Sequence, residues 1–338
     1  MNVLRKNATL PYPALEEVVR RYAVSVTDAV AATMHAADPE TDPVARQYLP
    51  TAAELVTAPD ERHDPIGDDT HSPVEGIVHR YPDRLLLMPV KTCAVYCRYC
   101  FRRENVGPGK QMLSPEELNA ALDYIRAAPH VWEVILSGGD PLILSPRRLR
   151  EILEALEEIP HVRVIRIHSR IPVADPSRIT PELCGVLSGV KKALYLAVHV
   201  NHAQELSAAA EKALGDLHRA GCVLLSQSVL LRRVNDNPQA LEDLFRRLVE
   251  LRVKPYYLHH MDKASGTSHF RVSLKTGRGL LRALRGRLSG LCQPAYMLDI
   301  PGGFGKIPVG PEHLKEQGGA YRVTDPQGQE HRYSDPDS

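Results

Sequence analysis

The sequence predicts an α/β protein: a partial (β/α)6, TIM-like barrel preceded by an N-terminal helical segment. Three observations lead there. Strand-like runs recur from Arg84 onward with helix-like runs between them, and after the first interval their starts fall about 30 residues apart, the length of one βα unit. Four of the intervening segments open on a capping side chain followed by proline, the start signature of a helix. Residues able to do chemistry gather after the strands, where parallel α/β sheets bind their ligands. A doubly wound sheet is the competing arrangement of the same units.

Taken in order, residues 1–80 lack the rhythm and read as helices and loops, including the polar stretch His63 to Ser72, so they are expected to cap the barrel. The strands run from Arg84 to Val90, Trp132 to Ser137, Val162 to His168, Ala193 to Val200, Val223 to Val229 and Lys254 to His260. Helices start at Ser114-Pro115, Ser145-Pro146, Thr180-Pro181 and Asn237-Pro238, and Ser114 with Glu117 completes a capping box. Tyr296 to Ile300 reads as one more short strand. Residues 81–310 are therefore the expected barrel, and 311–338 a polar tail, frayed or lightly docked from Thr324.

Composition narrows the functional classes. The 338 residues are 43% hydrophobic, enough for a large core, and 42 basic against 41 acidic residues leave a net charge of +1. No overall field draws such a chain to nucleic acid or an anionic membrane. There is no run of about 18 apolar residues and no signal-like stretch behind Met1 to Asn7, so a cytoplasmic location is expected. Of six cysteines, three crowd together while Cys184, Cys222 and Cys292 are scattered. That is no disulfide framework, and clustered thiols in a reducing compartment point to metal.

The cluster is Cys93-Ala94-Val95-Tyr96-Cys97-Arg98-Tyr99-Cys100, a C-x3-C-x2-C spacing directly after the first barrel strand. Structural zinc takes four ligands and ferredoxin-type clusters a fourth cysteine. Three thiolates on a [4Fe-4S] cluster instead leave one iron open to a small molecule. A three-cysteine zinc site completed by a distant His, or a chance cluster of packed thiols, are the alternatives. One unit later, Ser137-Gly138-Gly139-Asp140 ends the second strand in a turn. Pro301-Gly302-Gly303-Phe304-Gly305-Lys306 presents a lysine at the end of a flexible turn, suited to a Schiff base with pyridoxal phosphate; the spacing is not that of a Walker loop, and a plain surface lysine is the alternative.

These segments, together with Pro73 to Arg84, Gln227 to Arg232, Val234-Asn235-Asp236 and Pro255-Tyr256-Tyr257, resemble the lysine 2,3-aminomutase family of radical S-adenosylmethionine (SAM) enzymes over about residues 65 to 310. The resemblance implies a barrel of the radical SAM type and a role for each matched residue. Cys93, Cys97 and Cys100 would hold the cluster. Tyr99 would lie against the adenine of SAM, with Ser137, Gly138, Gly139, Asp140, His199 and Gln227 completing the cofactor's surroundings. Lys306 would carry pyridoxal 5'-phosphate, gripped at its phosphate by Arg80, Tyr81 and Arg84. Arg102 would pair with the substrate carboxylate and Asp262 and Asp299 with the side-chain ammonium of L-lysine. The implied reaction moves the 2-amino group to C3, giving β-lysine, with an electron donor of flavodoxin or ferredoxin type and a homo-oligomeric assembly.

Arginine or ornithine would also suit a paired-aspartate pocket, and a non-catalytic iron–sulfur protein is the competitor from another class. Phe304 interrupts the family's glycine run and is expected to narrow the turn. Asn237 stands where longer members have a zinc-binding cysteine, so no zinc is expected. The cysteine segment, Ile167 to Arg170 and Leu258-His259 look closer to the shorter branch whose β-lysine is attached to elongation factor P.

Overall fold

The computed structural model describes residues 13–107, 109 and 112–335. Its frame is a nine-stranded sheet whose spatial order equals its chain order. Strands β1 (Ile77–Tyr81) and β2 (Arg84–Val90) form an antiparallel hairpin with Tyr81 opposite Arg84. Strands β3 (Glu133–Gly138), β4 (Val164–Ser169), β5 (Ala193–His199), β6 (Val223–Val229), β7 (Lys254–His259) and β8 (Ala295–Asp299) add in parallel, and β9 (Lys306–Pro308) returns antiparallel to β8. A doubly wound sheet reverses its strand order at a switch point. This sheet never reverses: it curls as a partial barrel with β1 and β9 as its edges.

Short helices precede the sheet: α1 (Pro13–Arg21), α2 (Asp28–Ala32) and α3 (Ala45–Tyr48). Within the expected cap, residues 1–12 lie outside the described residues. Six helices then alternate with β2 to β7: α4 (Pro115–Arg126), α5 (Pro146–Glu157), a short α6 (Ile171–Ala174) followed by α7 (Pro181–Ser188), α8 (Ala208–Arg219), α9 (Pro238–Glu250) and α10 (Leu274–Leu284), with α6 as an extra turn in the third unit. Each proline-marked start is a working cap: the side chains of Ser114, Ser145, Thr180 and Asn237 accept from the N–H three residues on, at 3.1, 3.2, 3.2 and 2.9 Å. Leu149, Ile152 and Leu156 of α5 and Leu241, Leu244 and Leu248 of α9 are wholly buried against fully buried strand residues such as Val134, Leu136, Ile165 and Leu196. That apolar layer fixes the strands, and so the places where their carboxyl ends open.

Where a polar tail was expected, residues 311–335 instead form a meander, β10 (Leu314–Gln317), β11 (Ala320–Thr324) and β12 (Glu330–Tyr333). Gly318 and Gly319 at φ 59° and 73° supply the hairpin turn. The outer strands β10 and β12 are exposed along their whole length, which is why polarity suggested a tail.

Candidate active site

A cavity of about 590 Å³ lies inside the barrel, and every residue given a cofactor, substrate or metal role from the sequence lines it: the three cysteines, Arg80, Tyr81, Arg84, Tyr99, Arg102, Ser137 to Asp140, His199, Gln227, Asp262, Asp299 and Lys306. Strand ends do this. Cys93 follows β2, Ser137 and Gly138 end β3, His199 ends β5, Gln227 lies in β6, Asp262 follows β7 and Asp299 ends β8.

At the cysteine end the loop is clamped from behind. Arg98, between two of the thiols, is 1% exposed and turns away from the cavity to Glu54, at 2.5 Å, and to the Ala23 carbonyl at 2.7 Å. Arg103 joins the same carboxylate. The two cations hold the Glu54 carboxyl below its usual range although burial pushes the other way. On the cavity side, Arg170 Nη1 lies 3.3 Å from Cys97 Sγ and also donates to the Tyr99 hydroxyl. Its other nitrogen reaches Gln47 at 2.7 Å and pairs with Glu205. Asn201 Nδ2 completes the Tyr99 contacts at 2.6 Å. Burial, then repulsion from Cys97, raises the Cys100 thiol to about 11, and burial raises Cys93 too. Free thiolates are disfavoured there unless a cation compensates them.

The glycine turn is dictated by packing. A side chain at Gly139 would stand 2.2 Å from the Thr92 carbonyl, and one at Gly138, where φ is 107°, 2.6 Å from that of Val90. Gly139 and Asp140 donate their N–H groups to those same two carbonyls, at 2.7 and 3.0 Å. An amino donor would therefore meet this turn through its carbonyl oxygens. Asp140 itself is committed to the scaffold: its carboxylate accepts from Ser169 Oγ at 2.7 Å and from the N–H groups of Arg170, Ile171 and Leu142. It positions β4 against β3.

At the opposite end, Lys306 Nζ pairs with Asp299, whose other oxygen takes Arg80 Nη1 at 3.4 Å. The Lys306 N–H donates to the Tyr81 hydroxyl at 2.8 Å, and the Arg84 guanidinium stacks 3.8 Å from the Tyr81 ring centroid. Arg80 is shared among Asp299, Asp68 at 3.1 Å and the Ile66 carbonyl at 2.6 Å. Asp262 does not pair with its neighbour Lys263, which goes to Asp60. It faces the cavity, and burial, then the charge of Asp299, raises its carboxyl to about 7. Burial, then the positive charge of Arg170, brings His199 down to about 4; His168, 3.1 Å from Gln227, and His259 are likewise held neutral by burial. Phe304 does not narrow the site: it is 79% exposed and off the cavity wall.

Sequence reasoning passed over Asp68 and gave Arg170 no role. Both are buried charges, in a loop and at a strand end, and nothing local to either marks its distant partners.

Residues 87–245 match the Radical SAM superfamily. The chain is 42% identical to an L-lysine 2,3-aminomutase of Clostridium subterminale over 82% of this chain and 66% of that one. To the protein of that name in Methanococcus maripaludis it is 40% identical over 90% and 70%, and to that of Escherichia coli 40% over 79% and 78%. The chain belongs to the lysine 2,3-aminomutase family. It spans just under two thirds of the length of the clostridial relative.

The residues present fit the groups that the lysine 2,3-aminomutase family implies. Among the described residues no group of His, Cys, Asp or Glu is arranged to hold a metal ion directly. A cuboidal cluster asks for something else, one thiolate per iron, and three mutually repelling thiols on one loop beside a buried arginine are that donor set. Lys306 offers an amine, and Tyr81 with Arg84 a hydroxyl and a guanidinium for a phosphate.

Proposed function

We propose that this chain is an L-lysine 2,3-aminomutase, moving the 2-amino group of L-lysine to C3 to give β-lysine. One observation carries the reading: a single cavity gathers the three thiols, the lysine turn, and charges of opposite sign, Arg102 near the cysteines and Asp262 and Asp299 near Lys306. Such a layout suits an amino acid with a carboxylate at one end and an ammonium at the other.

When bound, the cluster with SAM supplies a hydrogen-abstracting radical, and pyridoxal phosphate supplies an aldehyde carbon and a ring that spreads unpaired spin. The chain's part is positioning. Lys306 would hold the pyridoxal group through its amine, and Tyr81 and Arg84 would hold its phosphate, with Arg80 beside them. Arg102 binds the carboxylate, and Asp262 with Asp299 binds the ε-ammonium. Tyr99, fixed by Arg170 and Asn201, offers its ring to the adenine, and the Ser137–Gly139 turn, His199 and Gln227 border the same space. Nothing here demands a general base. Close, fixed placement of the bound groups does the rest.

In this reading residues 1–80 cap the site, 81–310 carry both cofactors and 311–338 are an appendage. The protein works in the cytoplasm as a homo-oligomer, with an external one-electron donor of flavodoxin or ferredoxin type. No helix among the described residues is long and apolar enough to cross a membrane. The test is anaerobic reconstitution with iron, sulfide, pyridoxal phosphate and SAM, followed by product analysis with L-lysine, L-ornithine and L-arginine. Formation of β-lysine in preference to the other β-amino acids is expected. A reconstituted, cluster-bearing protein that makes none overturns the reading.

A further inference from the structure

The guanidinium assigned to the substrate's carboxylate already holds a carboxylate. Asp68 Oδ2 accepts from Arg102 Nε at 2.9 Å and lies 2.7 Å from its Nη2, while Asp68 Oδ1 accepts from Arg80 Nη2 at 3.1 Å. The opposite end is matched in the same way, with Lys306 Nζ on Asp299. Arg102 and Asp299, two of the three charges intended for a lysine zwitterion, are thus engaged by groups of the chain with the ligand's own chemistry.

We propose that Asp68 is a place-holder for the amino-acid carboxylate: it holds Arg102 until substrate enters and then yields it, carboxylate for carboxylate. The proposal rests on the lysine reading above. Both anions cannot stay on one guanidinium without repelling each other at close range in a site withdrawn from water. Asp68 keeps Arg80 as an alternative partner, so its charge is not stranded when Arg102 is released.

The segment that carries it is built as a unit. The Asp64 carboxylate accepts from the N–H groups of Asp68 and Asp69, both at 2.9 Å, Thr70 Oγ1 donates to the Gly67 carbonyl at 3.0 Å, and Ser72 Oγ to that of Asp68 at 2.8 Å. These bonds are internal to residues 64–72 and survive a shift of the whole turn. Its outward bonds include Gly302 N–H to the Pro65 carbonyl at 3.3 Å and His71 to the Gly303 carbonyl at 3.1 Å, both on the turn that presents Lys306. A carboxylate arriving at Arg102 therefore acts on the loop that abuts the lysine turn.

Calorimetric titration of the reconstituted holoenzyme without SAM, where no turnover occurs, measures amino-acid binding directly. Asp68→Asn keeps the side chain's size and removes the competing charge, and about tenfold tighter binding of L-lysine is expected. Unchanged or weaker binding overturns the proposal, since a residue that merely orients Arg102 would be missed when its charge is lost. Hydrogen exchange of residues 64–72 in the wild type needs no variant: added L-lysine is expected to speed it, and slowing overturns the proposal. Titrating L-ornithine, L-arginine and L-norleucine alongside separates the two readings. A wild type that does not prefer lysine defeats the functional reading, whereas an Asp68→Asn protein that gains for no amino-acid carboxylate defeats this one.

Discussion

Behind the cysteine loop the buried charges are matched inside the scaffold, whereas around Arg102 and Lys306 the charges meet one another across the cavity wall. Glu54 takes Arg98 and Arg103 away from the cavity, and Arg170, beside Cys97 on the cavity side, takes Glu205 and Gln47. Asp299, Asp68, Arg80, Arg102 and Lys306 instead neutralise each other on groups that the proposed function needs. The first set is fixed before any ligand arrives; the second must be exchanged. A radical source calls for rigid placement, and a substrate site for charges that can change partner.

The largest effect that would test this division is at Lys306. Lys306→Arg keeps the cation on Asp299 but removes the nucleophilic amine, so kcat should fall by about 10^3-fold or more. Iron content should stay at the wild-type level, because nothing at the cysteine end depends on it. Loss of iron in that variant would break the comparison.

Glu54→Gln strikes the other end. Two arginines that are almost wholly buried would lose their counter-charge, and breaking such a group costs about 3–5 kcal/mol. Thermal unfolding should shift down, and iron content should fall with it, since Arg98 lies between Cys97 and Cys100. Arg102→Lys follows with a smaller effect. A point charge replaces a planar fork, and losing charge-assisted bonds worth about 1.5–3 kcal/mol should appear as a higher KM for L-lysine at nearly constant kcat.

How much of this was legible depended on the range of the interaction. Arg84–Val90 and Val223–Val229 were readable to the residue because each carries an apolar run, Leu85 to Val90 and Val223 to Leu225, and the proline-marked caps at Ser114 and Asn237 are local chemistry. The β1 hairpin was missed because Ile77-Val78 is too short an apolar run to announce a strand before His79 and Arg80. The 314–333 meander was missed because its two outer strands are polar and exposed and no apolar alternation marks them. The cavity's residue types were visible in the motifs, but their pairing was not: Asp68 meets a residue 34 positions away, and Arg170 one 71 positions away, only because strand order brings them together.

Asp262 sharpens the comparison through pH. Its carboxyl, raised to about 7, faces Asp299 and Asp68, which push it up, and Lys306 and Arg102, which pull it down. Below about 7 the group is neutral before L-lysine binds and cannot attract an ammonium, so binding L-lysine must expel its proton. Affinity should therefore rise as pH increases toward 7, by up to about tenfold per unit, and level off above it. For folding the sign is the reverse, since the folded chain holds this proton more tightly and loses that advantage as pH climbs through 7. Calorimetric Kd values between pH 6 and 8 would show the slope, and Asp262→Asn should flatten it. An affinity that falls with rising pH would refute the role given to Asp262.

The smallest effects belong to the lysine turn, where neighbouring residues should behave differently. Gly303 has φ 88°, and a side chain there would come within 2.9 Å of His71 Nε2. Gly303→Ala should therefore cost about 1–2 kcal/mol and disturb the contact with the Asp68 loop, raising KM more than it lowers stability. Phe304, 79% exposed and not in a left-handed conformation, should tolerate alanine within about 0.5 kcal/mol and with unchanged kcat/KM. If Phe304→Ala instead changed kcat/KM as much as Gly303→Ala, the ring would have to reach the cavity during turnover. The lysine end would then rearrange beyond the exchange of ion pairs, moving the whole turn as well as the charges on it.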